Sequence, residues 1–178
     1  MPEGNPNLYE VLTKVTKSGQ MARTNLFSMT FQGGVPVIQN LSKDLVIRGK
    51  GTQLPASDLG VIEVPYRGRK LKVPGQRTFA EWTVTIMETE GMEIRTAIEY
   101  WMNILDASST GDRQPDAICD IIVSNLSIRD QTPLMTYYLY GAFPTSIGAV
   151  EMSFEEQTSP MEYQVTFQYS FHDAYKAG

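Results

Sequence analysis

Between Gly75 and Leu105 the chain carries a strand pattern and a helix pattern back to back, with almost no room for a connector. In Trp82, Val84 and Ile86 the apolar residues recur at every second position while Glu81, Thr83 and Thr85 take the alternate ones, as a strand with one buried face requires. From Ile94 the period lengthens. Ile94, Ala97, Ile98, Trp101, Ile104 and Leu105 fall on one stripe of a helix, with Glu93, Arg95, Thr96, Glu99 and Asn103 outside it. A helix of about three turns is marginal in water by itself. This one has to dock Ile98 and Trp101 on a sheet, and the rest of the chain has to supply that sheet.

Strand patterns do recur along the sequence. Phe27, Met29 and Phe31 alternate with Ser28, Thr30 and Gln32 and end at Gly33-Gly34, with a second strand expected around 35–38. A strand is expected within 118–128. Another covers Leu134 to Phe143 and is closed by Pro144, and Val150, Met152 and Phe154 alternate with Glu151, Ser153 and Glu155. In the last strand Tyr163, Val165, Phe167, Tyr169 and Phe171 are expected on one face, with Glu162, Gln164, Thr166, Gln168 and Ser170 on the other. The fold class is therefore mainly β, an antiparallel sandwich or barrel with one flanking helix. Near the start, residues 1–7 read as a flexible arm, and Leu8, Val11, Leu12 and Val15 have the spacing of a short helix.

Residues 41–75 differ from the rest. Leu54-Pro55, Val64-Pro65 and Arg67-Gly68-Arg69 break the strand-like pieces, and the last reads as a hairpin tip. A long projecting loop-hairpin is the expectation, either a contact between subunits or a surface meander. It is also basic. From Lys43 to Arg77 there are eight cationic residues against three acidic ones, whereas from Ala80 onward fifteen acidic residues face four cationic ones. Opposite potentials on two surfaces steer head-to-tail association of identical copies, although two solvated faces would give the same counts.

With 178 residues the chain fits one domain, able to bury about two thirds of its unfolded surface. A lone cysteine, Cys119, rules out an intrachain disulfide, and its place in the run ICDIIV suits a buried structural thiol. No apolar run reaches the length of a membrane span and the N-terminus lacks signal-peptide features, so synthesis in a cytoplasm without membrane insertion is expected. The single histidine, His172, adjoins Asp173, and neighbours in a strand point to opposite faces. One histidine and one cysteine assemble neither a nucleophilic triad nor a multi-histidine metal site. Gly49-Lys50-Gly51-Thr52 lacks the spacing of a phosphate-binding loop, and acidic surroundings argue against the tyrosines of LMTYYLYGAF as a nucleic-acid platform. No enzyme, cofactor or metal is expected. Carboxylates such as Glu151, Glu155 and Glu156 suit a solvated strand face better than catalysis.

Three segments in order, MARTNLFSMTF (Met21 to Phe31), TQLPASDLGVIEVPYRGRKLKVPGQRTFAEWTVTIM (Thr52 to Met87) and YYLYGAFPTSIGAVEMSFEEQTSPMEYQVTFQYSF (Tyr137 to Phe171), resemble the tail tube proteins of contractile-tailed bacteriophages. The Leu54-Pro55 turn, the basic hairpin leading into Gly75-Gln76-Arg77-Thr78-Phe79, and Gly141-Ala142-Phe143-Pro144-Thr145 before Ile147-Gly148 carry most of it; Ala107 to Pro133 matches less well. The resemblance implies a virion protein assembled in the host cytoplasm, whose homohexameric rings stack into a hollow tube. It also implies a contractile sheath outside, a baseplate initiator and a tail terminator at the ends, and DNA passing through the lumen without specific binding. Type VI secretion tubes share the architecture by the same analogy. On this reading Arg48, Lys50, Arg67, Arg69, Lys70 and Lys72 stack one ring on the next, and Glu151, Ser153, Glu155, Gln164, Thr166 and Gln168 face the lumen. A single-ring terminator or baseplate component, a type VI-like secretion tube, or a monomeric ligand-binding barrel are the competing readings.

Overall fold

The computed structural model describes residues 25–34, 48–106, 115–128, 130–150, 152 and 160–176. Among these residues nine strands and one α-helix follow in order, with a short 3-10 helix at Pro115–Ala117: β1 (Phe27–Gly33), β2 (Gly49–Thr52), β3 (Ser57–Tyr66), β4 (Arg69–Phe79), β5 (Trp82–Met87), α1 (Glu93–Leu105), β6 (Cys119–Leu126), β7 (Pro133–Ile147), β8 (Glu162–Gln168) and β9 (Phe171–Lys176). All pairings are antiparallel. The main sheet runs β1-β6-β7-β8-β5-β2 with β9 also on β7, and β3-β4 form a separate hairpin.

The long strand β7 organises the sheet. Its first half pairs with β6 and β9, and its second half pairs with β8. One half-sheet (β1, β6, β7, β9) thus bends into the other (β7, β8, β5, β2). At the bend Gly141 takes φ +65°, a conformation that costs glycine little, and Ser170 N–H donates to the Tyr140 carbonyl at 2.9 Å. The two inner faces meet in one core. Phe167 sits at its centre, with ring centroids 5.7 Å from Phe31, 5.6 Å from Trp82 and 6.0 Å from Trp101.

Helix α1 closes this core as its stripe dictates. Ile94, Ile98 and Trp101 are buried, Ala97, Ile104 and Leu105 pack half-buried at the margin, and the Trp101 indole donates to the Ala117 carbonyl at 2.6 Å. Cys119 is buried as well, and burial, followed by the nearby Asp120 charge, pushes its thiol up to about 12. The thiolate is the reactive form, so this cysteine is inert.

Three expectations change. The alternation of the last strand breaks at Tyr169-Ser170, where the chain passes from β8 to β9; Phe171 turns outward at 46% exposure and His172 inward at 5%. A one-residue irregularity exchanges the faces of everything beyond it. Pro144 does not end β7, because the register shift between Pro144 and Ser146 removes the need for its missing N–H. Gly49–Thr52, inside the segment expected to project, instead joins the main sheet as an edge strand on β5, so the projecting element spans Ser57–Phe79. The helix expected at 8–15 and the strand at 35–38 lie outside the described residues.

Candidate assembly surfaces

The hairpin β3-β4 turns through Arg67 and Gly68, at φ 47° and 78°, the two left-handed residues of a tight two-residue loop. Tyr66 faces Arg69 across this tip, and the Arg67 guanidinium lies 5.4 Å from the Tyr66 ring centroid. Lower down, Gly60 and Gly75 flank a register shift where a Cβ on Gly75 would come within 3.1 Å of the Gly60 carbonyl oxygen. From Asp58 to Thr78 nearly every residue is exposed, so the hairpin stands off the body.

Its two faces differ. Directly opposed residues share a face, so Ile62, Val64 and Tyr66 line up with Val73, Leu71 and Arg69, while Glu63 and Pro65 line up with Lys72 and Lys70. The second face mixes charge with apolar residues: Lys70 Nζ lies 2.7 Å from Glu63 Oε2, and the exposed Val61 pairs with Pro74. The first is apolar up to its cationic end and none of it is covered: its five apolar residues are between 43% and 55% exposed. Sequence reading singled out only the charges here, although the same alternation that marked β5 is present in VIEVPY and KLKV.

The root of the hairpin is fixed to the body. Arg77 donates to the Ser57 hydroxyl at 2.8 and 3.0 Å and lies 5.3 Å from the Phe79 ring centroid. Phe79 in turn packs edge-on to His172 at 5.0 Å, and the Trp82 indole donates to the Gln53 carbonyl at 2.8 Å. His172 Nδ1 lies 3.2 Å from the Tyr169 hydroxyl, and burial, reinforced by Arg77, depresses the imidazole pKa.

Of the six cationic residues assigned to stacking, Arg67, Arg69, Lys70 and Lys72 belong to the hairpin, on its tip and both faces. Arg48 and Lys50 belong to the body. Lys50 pairs with Glu162 at 2.7 Å, and Arg48 lies 3.4 Å from Glu93 and 3.9 Å from Glu88. The Glu88 carboxylate is buried and accepts from the Tyr163 hydroxyl at 2.6 Å, from Arg95 N–H at 3.0 Å and from Thr89 N–H at 3.2 Å. Met92, at the start of α1, contributes no side-chain cap, so Glu88 satisfies a helix N–H from outside the helix and places negative charge at the positive end of its dipole. Burial, then the bond to Glu88, raises the Tyr163 phenol pKa. Nothing in the sequence marks Glu88, because Tyr163 and Arg48 are far away from it along the chain.

Gln164, Thr166 and Gln168 share the outer face of β8, and Thr83 and Thr85 on β5 pair with Thr166 and Gln164. This face carries hydroxyls and amides, with the Lys50–Glu162 pair at its margin. Glu151, Ser153 and Glu155 lie outside the described residues. Among the described residues no helix is long and apolar enough to cross a membrane, and no group of three or more His, Cys, Asp or Glu could hold a metal ion. Strands β1, β2 and β9 each pair on one side only among the described residues.

A family profile described as phage tail tube protein matches residues 5–175. The tail tube protein gp19 of Enterobacteria phage T4 is 28% identical over 158 residues, covering 87% of this chain and 93% of that protein. The tail tube protein of Serratia phage KSP90 is 25% identical over 130 residues, covering 72% and 73% respectively. In fold, the chain is similar to one in the PVC extracellular contractile injection system sheath–tube complex in its extended state, with a TM-score of 0.68 at 16% identity over 93% of this chain and 97% of that one. A chain of the anti-feeding prophage baseplate gives 0.65 at 11% identity, covering 89% and 97%. Folded as a bent sandwich with a standing hairpin and matched by that profile along nearly its whole length, this chain belongs to the phage tail tube protein family and is a structural component of the virion tail.

Proposed function

We propose that residues 1–178 act as one tail-tube unit that forms homohexameric rings, and that these rings stack into a hollow tube through which phage DNA passes. The observation that supports this is the surface left open among the described residues: three strand edges and an apolar hairpin face. Exposed edges and apolar patches are aggregation hazards in a monomer, and identical neighbours remove both. Edge pairing closes each ring, and the hairpin, with Arg67, Arg69, Lys70 and Lys72, joins one ring to the next. Arg48 and Lys50 act within the subunit, holding β2 to α1 and β8.

The outer face of β8 and β5 lines the lumen, with Gln164, Thr166 and Gln168 as its described part and Glu151, Ser153 and Glu155 as its acidic complement. Hydroxyls and amides offer phosphate no counter-charge, so DNA slides past without being held. A sheath protein outside, a baseplate initiator and a terminator complete the assembly, by analogy with the sheath–tube, baseplate and cap complexes in which this fold occurs. The role is structural, with no catalysis assigned. The same fold also occurs in a tube-terminating cap, so a single ring that does not polymerise is the second reading.

Electron microscopy of the purified chain at high concentration, with and without its initiator complex, tests both. Tubes of repeating rings are expected. Isolated rings would favour a terminator, and monodisperse globules under all conditions would overturn the assembly.

A further inference from the structure

The apolar face of the hairpin is exposed among the described residues, and the body carries a surface of matching character. On the outward face of the half-sheet containing β7 and β9, Tyr138, Tyr140, Phe171 and Tyr175 form a continuous aromatic cluster. Ring centroids are 4.7 Å apart for Tyr140 and Phe171, 5.5 Å for Tyr138 and Tyr175, and 6.5 Å for Tyr138 and Tyr140. Phe171 is 46% exposed and Tyr175 56% exposed. The break between β8 and β9 puts Phe171 there; uninterrupted alternation would have buried it.

Two carboxylates flank the cluster. Asp173 is the register partner of Tyr138 on β9, and Asp120 accepts from Gly141 N–H at 2.9 Å, beside Tyr140. The hairpin face has the complementary arrangement, an apolar length ending in Arg69 and in Arg67 over the Tyr66 ring. We propose that the hairpin of one copy seats this face on the aromatic face of a neighbouring copy, with Arg67 and Arg69 meeting Asp120 and Asp173. The proposal rests on the stacked-copy reading above and names the contact that joins the copies.

Reach and chemistry agree with it. A strand of ten residues spans about 33 Å, enough to leave one subunit and lie along the next. Two sheets packed face to face stand about 10 Å apart with interleaved side chains, and rigid aromatic rings bury large areas at low entropic cost. Arginine adds attraction to both the rings and the carboxylates. Another open site among the described residues, a groove on α1 lined by Gly91, Glu93, Thr96, Ala97 and Tyr100, offers a single large ring. The outer face of β5 and β8 offers threonines and glutamines in place of an apolar surface.

A benzophenone amino acid at Leu71 in the full chain tests the seat. Tubes are assembled and irradiated, and cross-linked peptides are mapped by mass spectrometry. Cross-links to Pro133–Ile147 or Phe171–Lys176 of another copy are expected. Cross-links to α1 or to the β5 and β8 face, or none at all in assembled tubes, overturn the seat. Should the probe itself block assembly, Tyr175→Asp gives an independent reading: the critical concentration for tubes rises at least about tenfold while the melting of the isolated chain is unchanged. An unchanged critical concentration overturns the proposal. Tubes with contacts elsewhere sink the seat alone, whereas a wild-type chain that never polymerises sinks the stacked-copy reading with it.

Discussion

The sandwich and the hairpin are made of the same material, alternating apolar and polar residues in antiparallel pairs, and they use it in opposite ways. In the sandwich the apolar faces of the two half-sheets and of α1 meet, so that Trp82, Trp101 and Phe167 are almost wholly buried. In the hairpin an equally regular apolar face stays exposed among the described residues. Burial of apolar area is what stabilises a fold. Substitutions in the sandwich should therefore be read in the stability of one chain, and substitutions in the hairpin in the joining of several.

The largest effect is expected at Trp101. Trp101→Ala removes the indole that α1 wedges against Phe167 and frees the Ala117 carbonyl, and should cost about 3–5 kcal/mol in denaturant unfolding of the unassembled chain. A loss below about 1 kcal/mol would mean that the core collapses around the gap and that α1 is not held by this residue. Glu88→Ala comes next. It strips a buried acceptor from the Tyr163 hydroxyl and from two backbone N–H groups, and about 3 kcal/mol is expected. Hydrogen exchange at the first turn of α1 should rise ahead of the rest, which separates loss of a helix cap from general weakening.

A smaller, pH-dependent effect is expected at the hairpin root. Burial holds the His172 pKa below its ordinary 6.5, so below that pH the unfolded chain binds the proton more readily than the folded one. The stability contribution is complete above pH 6.5 and is lost as the pH falls through the depressed folded value. His172→Phe should flatten this part of the stability profile, measured by thermal melts across about pH 4.5–7.5. A slope identical to wild type would assign it to the carboxylates instead.

What the sequence disclosed divides along the same line. Strand β5 and helix α1 were legible because each buries one face, and burial enforces period: Trp82, Val84, Ile86, Ile94, Ile98 and Trp101 are all in the core. Phe171 was misplaced because the bend at Tyr169-Ser170 depends on Gly141 and Ser170 meeting across two strands, a contact that no local pattern encodes. Glu88 was invisible for a similar reason, since Tyr163 and Arg48 reach it from distant parts of the chain. The hairpin was found from its turn residues, but its charges drew attention away from the apolar alternation between them. Arg48 and Lys50 are near the hairpin in sequence, but they lie on the body and pair there with Glu88, Glu93 and Glu162.

The smallest effect on the fold, and the most discriminating one for assembly, is expected at two adjacent residues. Arg69 and Lys70 follow one another in β4 and therefore point to opposite faces of the hairpin, Arg69 to the apolar face beside Tyr66 and Lys70 to the charged face beside Glu63. Their side chains are exposed, so charge reversal at either should change unfolding by no more than about 0.5 kcal/mol, the worth of a surface ion pair. Melting should stay cooperative in the double variant, and its loss would show that the hairpin is part of the folding unit. Assembly should separate the two. Arg69→Glu sets like charges against Asp120 and Asp173 on the neighbouring copy and should weaken tube formation more than Lys70→Glu, with the difference shrinking as salt is raised. Equal weakening would mean that only the total charge of the hairpin matters. A larger effect of Lys70→Glu would turn the hairpin over, placing its charged face against the next ring and its apolar face elsewhere.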